Sequence, residues 1–350
     1  MGDRILANRI LLSCLLVVFG CTTNLEIGGH RHHFGRVPQN VVWFQIAGLS
    51  GTHIPLAKYT SQPVENNFFE SAVCSGQTYD ANYEQLRPGA SDFFNAQVLS
   101  SKLISNDICS EFSSKLPIWR VFQEDKRKVS ILEIGAKVSE SLLGLRDCPQ
   151  KFLKDEAFVF KRAPDRAFSD QLYEIEKNKS LNKGVYFEKD CEISGKCKAT
   201  DFETMKYFLK NSFKAGKINF MQIRDYRYKE IVLRNDPKKI KAYIKELSTL
   251  VSWLKESSNH REKTLIVITG AEPIGLNYPK KGINWVKFEK SGLGLRHNQA
   301  ELMSPVFAWG SSSELFCGVM DNVEISKRIY NRFFQKSFKF ETLIESIKNR

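Results

Sequence analysis

An α/β fold, a three-layer sandwich with a mixed, mainly parallel central sheet, is what the sequence predicts, and three observations carry that prediction. Residues 40–46 (NVVWFQI) form an apolar run that stops at a small-residue turn, Ala47-Gly48. Runs of this kind bounded by turns mark strands buried on both faces. Residues 217–268 then give strand, amphipathic helix and strand in succession, the crossover unit of a parallel sheet. A late run, 304–309, ends at Gly310 and adds another buried strand.

The elements follow in chain order. Arg4 and Arg9 precede a short apolar stretch over 10–19, and Gly20 stands directly before Cys21. The stretch is too short for a stable membrane-spanning helix, so residues 1–20 are expected to be a processed export signal. The ending Val18-Phe19-Gly20-Cys21 resembles a bacterial lipobox, which implies lipidation of Cys21 and attachment to a membrane through it. Residues 21–39 then read as a flexible tether and 40–350 as one α/β domain. In the tether, His30, His32 and His33 of GGHRHHFGR read as solvated linker rather than a metal tract. Thr22 is not the aspartate that holds some lipoproteins at the inner membrane, so outer-membrane or surface placement on the cell envelope is expected.

Within the domain, LRPGASDFFNAQVLSSK is expected to be a turn and helix, with Ser91 near its start. In ILEIGAK, Glu133 is expected to follow a strand and to face the cleft, or equally to be a helix-start charge or a partner of Lys137; KINFMQI (217–223) is expected as another strand, leading into the polar loop RDYRYKEIVLRND. Asp236 can cap the next helix, with Pro237 in its first turn. Ile240, Tyr243, Ile244, Leu247, Leu250, Val251 and Leu254 then recur at the helical period. Residues 264–268 return to strand and end at Thr269-Gly270; closing helices are expected over 322–334 and 341–349.

Cysteine usage and charge bound the function. Of eight cysteines, Cys14 leaves with the signal and Cys21 carries lipid, so an even six remain. In an exported chain that favours disulfides, and Cys191 and Cys197, enclosing only EISGK, are the easiest pair to join. Cys74, Cys109, Cys148 and Cys317 allow three connectivities, all open. The net charge is +13, with lysines scattered along DPKKIKAYIK and YPKKGINWVKFEK rather than gathered in one arm. Attraction to anionic lipid or another acidic envelope polymer follows, beside the plainer reading of a solvated basic surface. Nucleic acid is not an expected partner outside the cytoplasm. No Walker-type phosphate loop and no GxSxG elbow occurs.

Four stretches, VVWFQIAGLSGTHIP, FMQIRDYRY, TLIVITGAEP and RHNQAELMSPVFAWGSSSELFCGVMDNVEISKRI, resemble in order and spacing the alkaline phosphatase and sulfatase superfamily over about 40–335. That resemblance implies an alkaline phosphatase-like fold and, in active members, two divalent cations held at strand ends beside a hydroxyl or thiol nucleophile. It places Ala47, Tyr228 and Ala271 where metal ligands belong, so these positions are degenerate. Asp225, Glu272 and His297 remain as a metal set, and Ser91 stands near the nucleophile position, where it reads equally as a helix cap. The implied function is a lipid-anchored, exported pseudo-hydrolase that binds an anionic envelope component or a protein partner without catalysis and without a cofactor. The alternative is a phosphoester or sulfoester hydrolase, or a headgroup transferase, using zinc or another divalent metal at a rearranged site. A third reading, a structural lipoprotein, would show the cleft plugged by Arg224, Tyr226 or Tyr228.

Overall fold

The computed structural model describes residues 37–79, 85–102, 107–146, 148, 152, 158–161, 184–186, 201–213, 219–257 and 263–334. The expected signal, Cys21, the histidine-bearing tether, Cys191, Cys197 and the closing helix over 341–349 lie outside these residues.

Eleven strands are described: β1 Asn40–Ala47, β2 Cys74–Tyr79, β3 Lys128–Ile134, β4 Phe158–Lys161, β5 Gly184–Tyr186, β6 Asn219–Asp225, β7 Thr264–Ala271, β8 Gly275–Asn277, β9 Arg296–Asn298, β10 Met303–Gly310 and β11 Gly318–Asp321. The described helices are α1 His53–Lys58, α2 Phe68–Ser71, α3 Ala90–Leu99, α4 Ile108–Ser114, α5 Ile118–Glu124, α6 Asp201–Ser212, α7 Arg227–Leu233, α8 Pro237–Ser257, α9 Ile283–Ser291 and α10 Glu324–Phe334. Nine strands form one sheet in the order β11-β2-β10-β7-β1-β6-β3-β4-β5, and β8 pairs with β9 apart from it. The sheet is mixed and mainly parallel. Only β10 runs against both of its neighbours, β7 and β2.

The apolar runs become the middle of this sheet because strands covered on both faces need no polar side. Alternate residues of β1 serve opposite cores: Val41 and Trp43 face α3 and α10, whereas Val42, Phe44 and Ile46 face α8. The predicted crossover is β6-α8-β7, whose two strands flank β1. Its helix begins as expected, with the Asp236 carboxylate accepting from the Lys238 and Lys239 amides at 3.0 and 3.2 Å. All seven periodic apolar residues of α8 are buried.

Two local expectations need correction. The polar stretch after β6 is not a loop throughout, since α7 occupies Arg227–Leu233. Glu133 does not follow a strand; it lies inside β3, wholly buried. The cysteine alternatives resolve to Cys74–Cys317 and Cys109–Cys148, with Cα separations of 5.1 and 5.4 Å, inside the usual disulfide range. The first ties β2 to the segment entering β11, its parallel neighbour at the sheet edge.

Candidate functional site

Ligands of open α/β sheets collect beyond the carboxyl ends of the strands. Here β1, β6 and β7 end side by side: Ile46 is in register with Asp225 and Gly270, and Ala47 with Ala271. Neither alanine carries a donor atom, and both are buried. The turn after β1 needs Gly48, with φ +82°, because a Cβ there would lie 2.7 Å from the Lys229 Cα. The backbone of α7 is thereby seated directly on the strand ends.

The side chains around this point satisfy one another. Both Asp225 oxygens are used: Oδ1 accepts from the Arg227 amide at 3.0 Å and its Nε at 2.9 Å, and Oδ2 from Arg227 Nη2 at 2.6 Å and the Tyr243 hydroxyl at 2.8 Å. Arg227 also pairs with Asp201 at 2.8 Å. Burial alone would lower its pKa, but Asp225 and Asp201 hold the guanidinium well above its ordinary value.

Glu272 continues the pattern from β7. Its Oε2 accepts from Lys229 Nζ at 2.7 Å and from the Ala90 amide, the first of α3, at 2.9 Å. The N-cap residue of α3, Gly89, has no side chain for this purpose, so a carboxylate from the turn after β7, distant in sequence, caps the helix and meets its positive end. Glu272 holds φ +47°, a conformation a non-glycine residue adopts only when its surroundings impose it. Nearby Asp92 has a raised pKa, caused first by burial and then by the Glu272 and Glu140 carboxylates, against a hydrogen bond from Gly89.

Ser91 is therefore not the helix cap. It is the second residue of α3, and its hydroxyl donates to the Glu140 carbonyl at 3.0 Å. The Tyr226 hydroxyl donates to the same carbonyl at 3.0 Å and accepts from Arg224 Nη2 at 2.8 Å. Arg224, fully buried, pairs with the equally buried Glu133 at 3.3 Å, and its guanidinium lies over Phe94. Glu133 also accepts from the Ser141 hydroxyl and from the Leu142 amide at 3.1 Å. Burial raises its pKa, against the pull of Arg224.

Tyr228 turns into the interior. Its hydroxyl donates to His53 Nδ1 at 2.8 Å, while His53 Nε2 meets the Ile274 carbonyl at 2.9 Å. Its ring stacks on Tyr243 with centroids 4.4 Å apart. Burial lowers the His53 pKa to about 4, opposed by the Ile274 hydrogen bond, and leaves the imidazole neutral. The nearby Ser50 hydroxyl is bonded to Glu301 and, at 2.8 Å, to Thr52, so Ser50, His53 and Asp225 make no triad.

His297 stands elsewhere, on β9, bonded through its amide (2.7 Å) and Nδ1 (3.1 Å) to the Asn235 side chain. The proposed metal set of Asp225, Glu272 and His297 is thus dispersed among three different sets of partners. Among the described residues no group of three or more His, Cys, Asp and Glu side chains could hold a metal ion. Sequence reasoning missed Lys229, Arg227 and Tyr243, the groups that occupy the retained carboxylates. The signal available was Lys229 itself, one residue after the position assigned to a lost histidine.

The lysines that looked scattered are gathered by the fold. Lys238, Lys241 and Lys245 of α8 line one side of a groove of about 670 Å³; Phe288, Glu289 and Gly292, on and just after α9, line another. Gly292 closes α9 in the left-handed conformation, and a Cβ there would lie 2.8 Å from Pro237, so glycine lets the two helix ends meet. Lys241 donates to the Gln62 carbonyl at 3.0 Å.

The fold is similar to that of alkaline phosphatase from the Antarctic bacterium TAB5, at 13% identity over 85% of this chain and 98% of that one, with a TM-score of 0.63. Alkaline phosphatase from Thermus thermophilus matches at 13% identity over 91% and 97%, TM-score 0.61. The lipoteichoic acid synthase LtaP from Listeria monocytogenes matches at 11% over 88% and 75%, TM-score 0.52. The chain has the alkaline phosphatase-like α/β fold that its sequence resemblance implied. No family model and no curated protein matches the sequence. The donor set does not fit a metal pair at the strand ends. Ala47 and Ala271 offer no ligand atom, and the oxygens of Asp225 and the Oε2 of Glu272 are taken by Arg227, Tyr243, Lys229 and a helix amide.

Proposed function

We propose that this chain is a non-catalytic, lipid-anchored envelope protein that uses an alkaline phosphatase-like fold to bind an anionic ligand at its basic surface. One observation carries the reading: the strand-end centre is closed by its own side chains. Lys229 and Glu272 form an ion pair 2.7 Å apart, and Glu272 holds the helix amide toward which an anion would otherwise be drawn. Arg224, Tyr226 and Tyr228 are all buried, as a structural lipoprotein would also have them, so ligand binding would fall outside the strand-end cleft. A hydroxyl without a metal or a base beside it is a weak nucleophile, and Ser91 donates to a carbonyl oxygen, which cannot act as a base. Binding then belongs to the surface, where Lys238, Lys241 and Lys245 present three ammonium groups along one groove. The lipid at Cys21 would hold this surface close to envelope polymers and headgroups bearing phosphate.

The test pairs turnover with binding. The purified chain is given p-nitrophenyl phosphate, bis-p-nitrophenyl phosphate and p-nitrophenyl sulfate with zinc, magnesium or manganese, and separately titrated with polyphosphate at low and high salt. The expected result is no turnover and salt-sensitive polyphosphate binding that weakens in Lys238→Ala/Lys241→Ala/Lys245→Ala. Turnover abolished by Ser91→Ala or Asp225→Ala overturns the proposal.

A further inference from the structure

The segment from β8 to β9 leaves the main sheet and returns to it. Gly275 pairs with Asn298, Leu276 with His297 and Asn277 with Arg296, so a two-stranded base carries α9 on its connection. The lobe is held from within. Tyr278, Trp285 and Phe288 pack with ring centroids 5.2 to 6.4 Å apart, and the Tyr278 hydroxyl donates to the Thr52 carbonyl at 2.6 Å. At roughly 100° per residue, this inner face of α9 leaves Val286, Lys290, Ile283 and Lys287 side by side on the opposite one. Ile283 is 72% exposed and Val286 47%; Leu293, just past the helix, is 63% exposed.

Charge surrounds these apolar side chains. Residues 278–297 hold Lys280, Lys281, Lys287, Lys290 and Arg296, all exposed, against the single carboxylate Glu289. Glu289 points back to the body, accepting from the Ser61 amide at 2.6 Å. None of the five cations enters an ion pair among the described residues, whereas Arg224, Arg227 and Lys229 all do so at the strand ends.

We infer that this lobe is a bilayer-docking element: α9 lies along an anionic membrane with Ile283 and Val286 in the headgroup layer and the five cations over acidic headgroups. An exposed apolar stripe bordered by lysines is the pattern that settles at a membrane interface. A stable protein partner would ask for about 800 Å² on each side, more than the outer stripe of one nine-residue helix offers. A bilayer asks less of each residue, because headgroup attraction sums over cations. The inference goes beyond the proposed function, resting on it for the lipid anchor that brings the lobe to a membrane, and adds a lipid surface as an anionic ligand away from the α8 groove.

The experiment uses the full chain carrying Cys21→Ala, which removes lipidation while keeping the N-terminal segment common to every protein compared. Its partition is measured on vesicles of phosphatidylcholine alone and of equal parts phosphatidylcholine and phosphatidylglycerol, with soluble polyphosphate as a separate ligand. Binding is expected on the anionic vesicles only. Removing one cation from the surface lowers partition about fivefold, so Lys280→Ala/Lys281→Ala/Lys287→Ala/Lys290→Ala should lose more than about a hundredfold. Ile283→Asp/Val286→Asp, altering only exposed side chains, should lose about tenfold or more. Either variant partitioning like its parent overturns the inference. Polyphosphate binding without vesicle binding overturns it and leaves the proposed function standing; binding to neither overturns both.

Discussion

At the carboxyl ends of β1, β3, β6 and β7, Glu133, Arg224, Asp225, Arg227, Lys229 and Glu272 each have an oppositely charged partner within the same few elements. On the lobe between β8 and β9, five cations face one carboxylate, and that carboxylate is turned away. The first region is polar but closed, the second polar and open. In a fold whose ligands ordinarily gather at strand ends, this contrast moves the accessible chemistry from the sheet to its surface. On the proposed reading the charges at the strand ends are structural, and removing them should cost stability in proportion to burial.

The largest expected effect lies at Glu133. Replacing it with alanine leaves the Arg224 guanidinium buried without its counter-charge, which costs about 3–5 kcal/mol. Denaturant unfolding measures the loss, and Glu133→Leu/Arg224→Met should recover most of it, because the pair leaves together. By the same measurement Lys287→Ala on the lobe should move stability by under about 0.5 kcal/mol. Equal losses at the two sites would erase the contrast.

A smaller effect appears in the pH dependence. His53 is neutral in the fold with a pKa of about 4, whereas in the unfolded chain the imidazole titrates near its ordinary 6.5. Between those values the unfolded state binds more protons, so the His53 contribution is complete above pH 6.5 and declines as pH falls toward 4. The full change is about 3 kcal/mol. Unfolding curves of the parent and His53→Gln between pH 7.5 and 4 (roughly spanning both values) should converge as pH drops. Parallel curves would show that His53 carries no such load.

How much of this was legible in the sequence depended on the range of the interaction. β1, β6, β7 and β10 were readable from their apolar runs, and α8 from Asp236, Pro237 and seven residues at the helical period. α7 was missed because RYKEIVL carries too little apolar periodicity to stand out beside the polar residues before it. The pairing of Glu133 with Arg224, and of Lys229 with Glu272, joins residues that only the sheet order brings together. Ser91 looked like a cap because the sequence places it beside Asp92 at a helix start; the actual capping group, Glu272, comes from the turn just after β7. DPKKIKAYIK and YPKKGINWVKFEK gave no sign that their helices share a groove, since that depends on Gly292 meeting Pro237.

Zinc stoichiometry decides whether the protein's own charges close the strand ends to metal. The chain with His30, His32 and His33 replaced by alanine, which removes the adventitious ligands of the tether, is dialysed against zinc and analysed for bound metal. Essentially none is expected, with no change in Asp225→Ala. One or two zinc ions per chain, lost on Asp225→Ala, would contradict that closure.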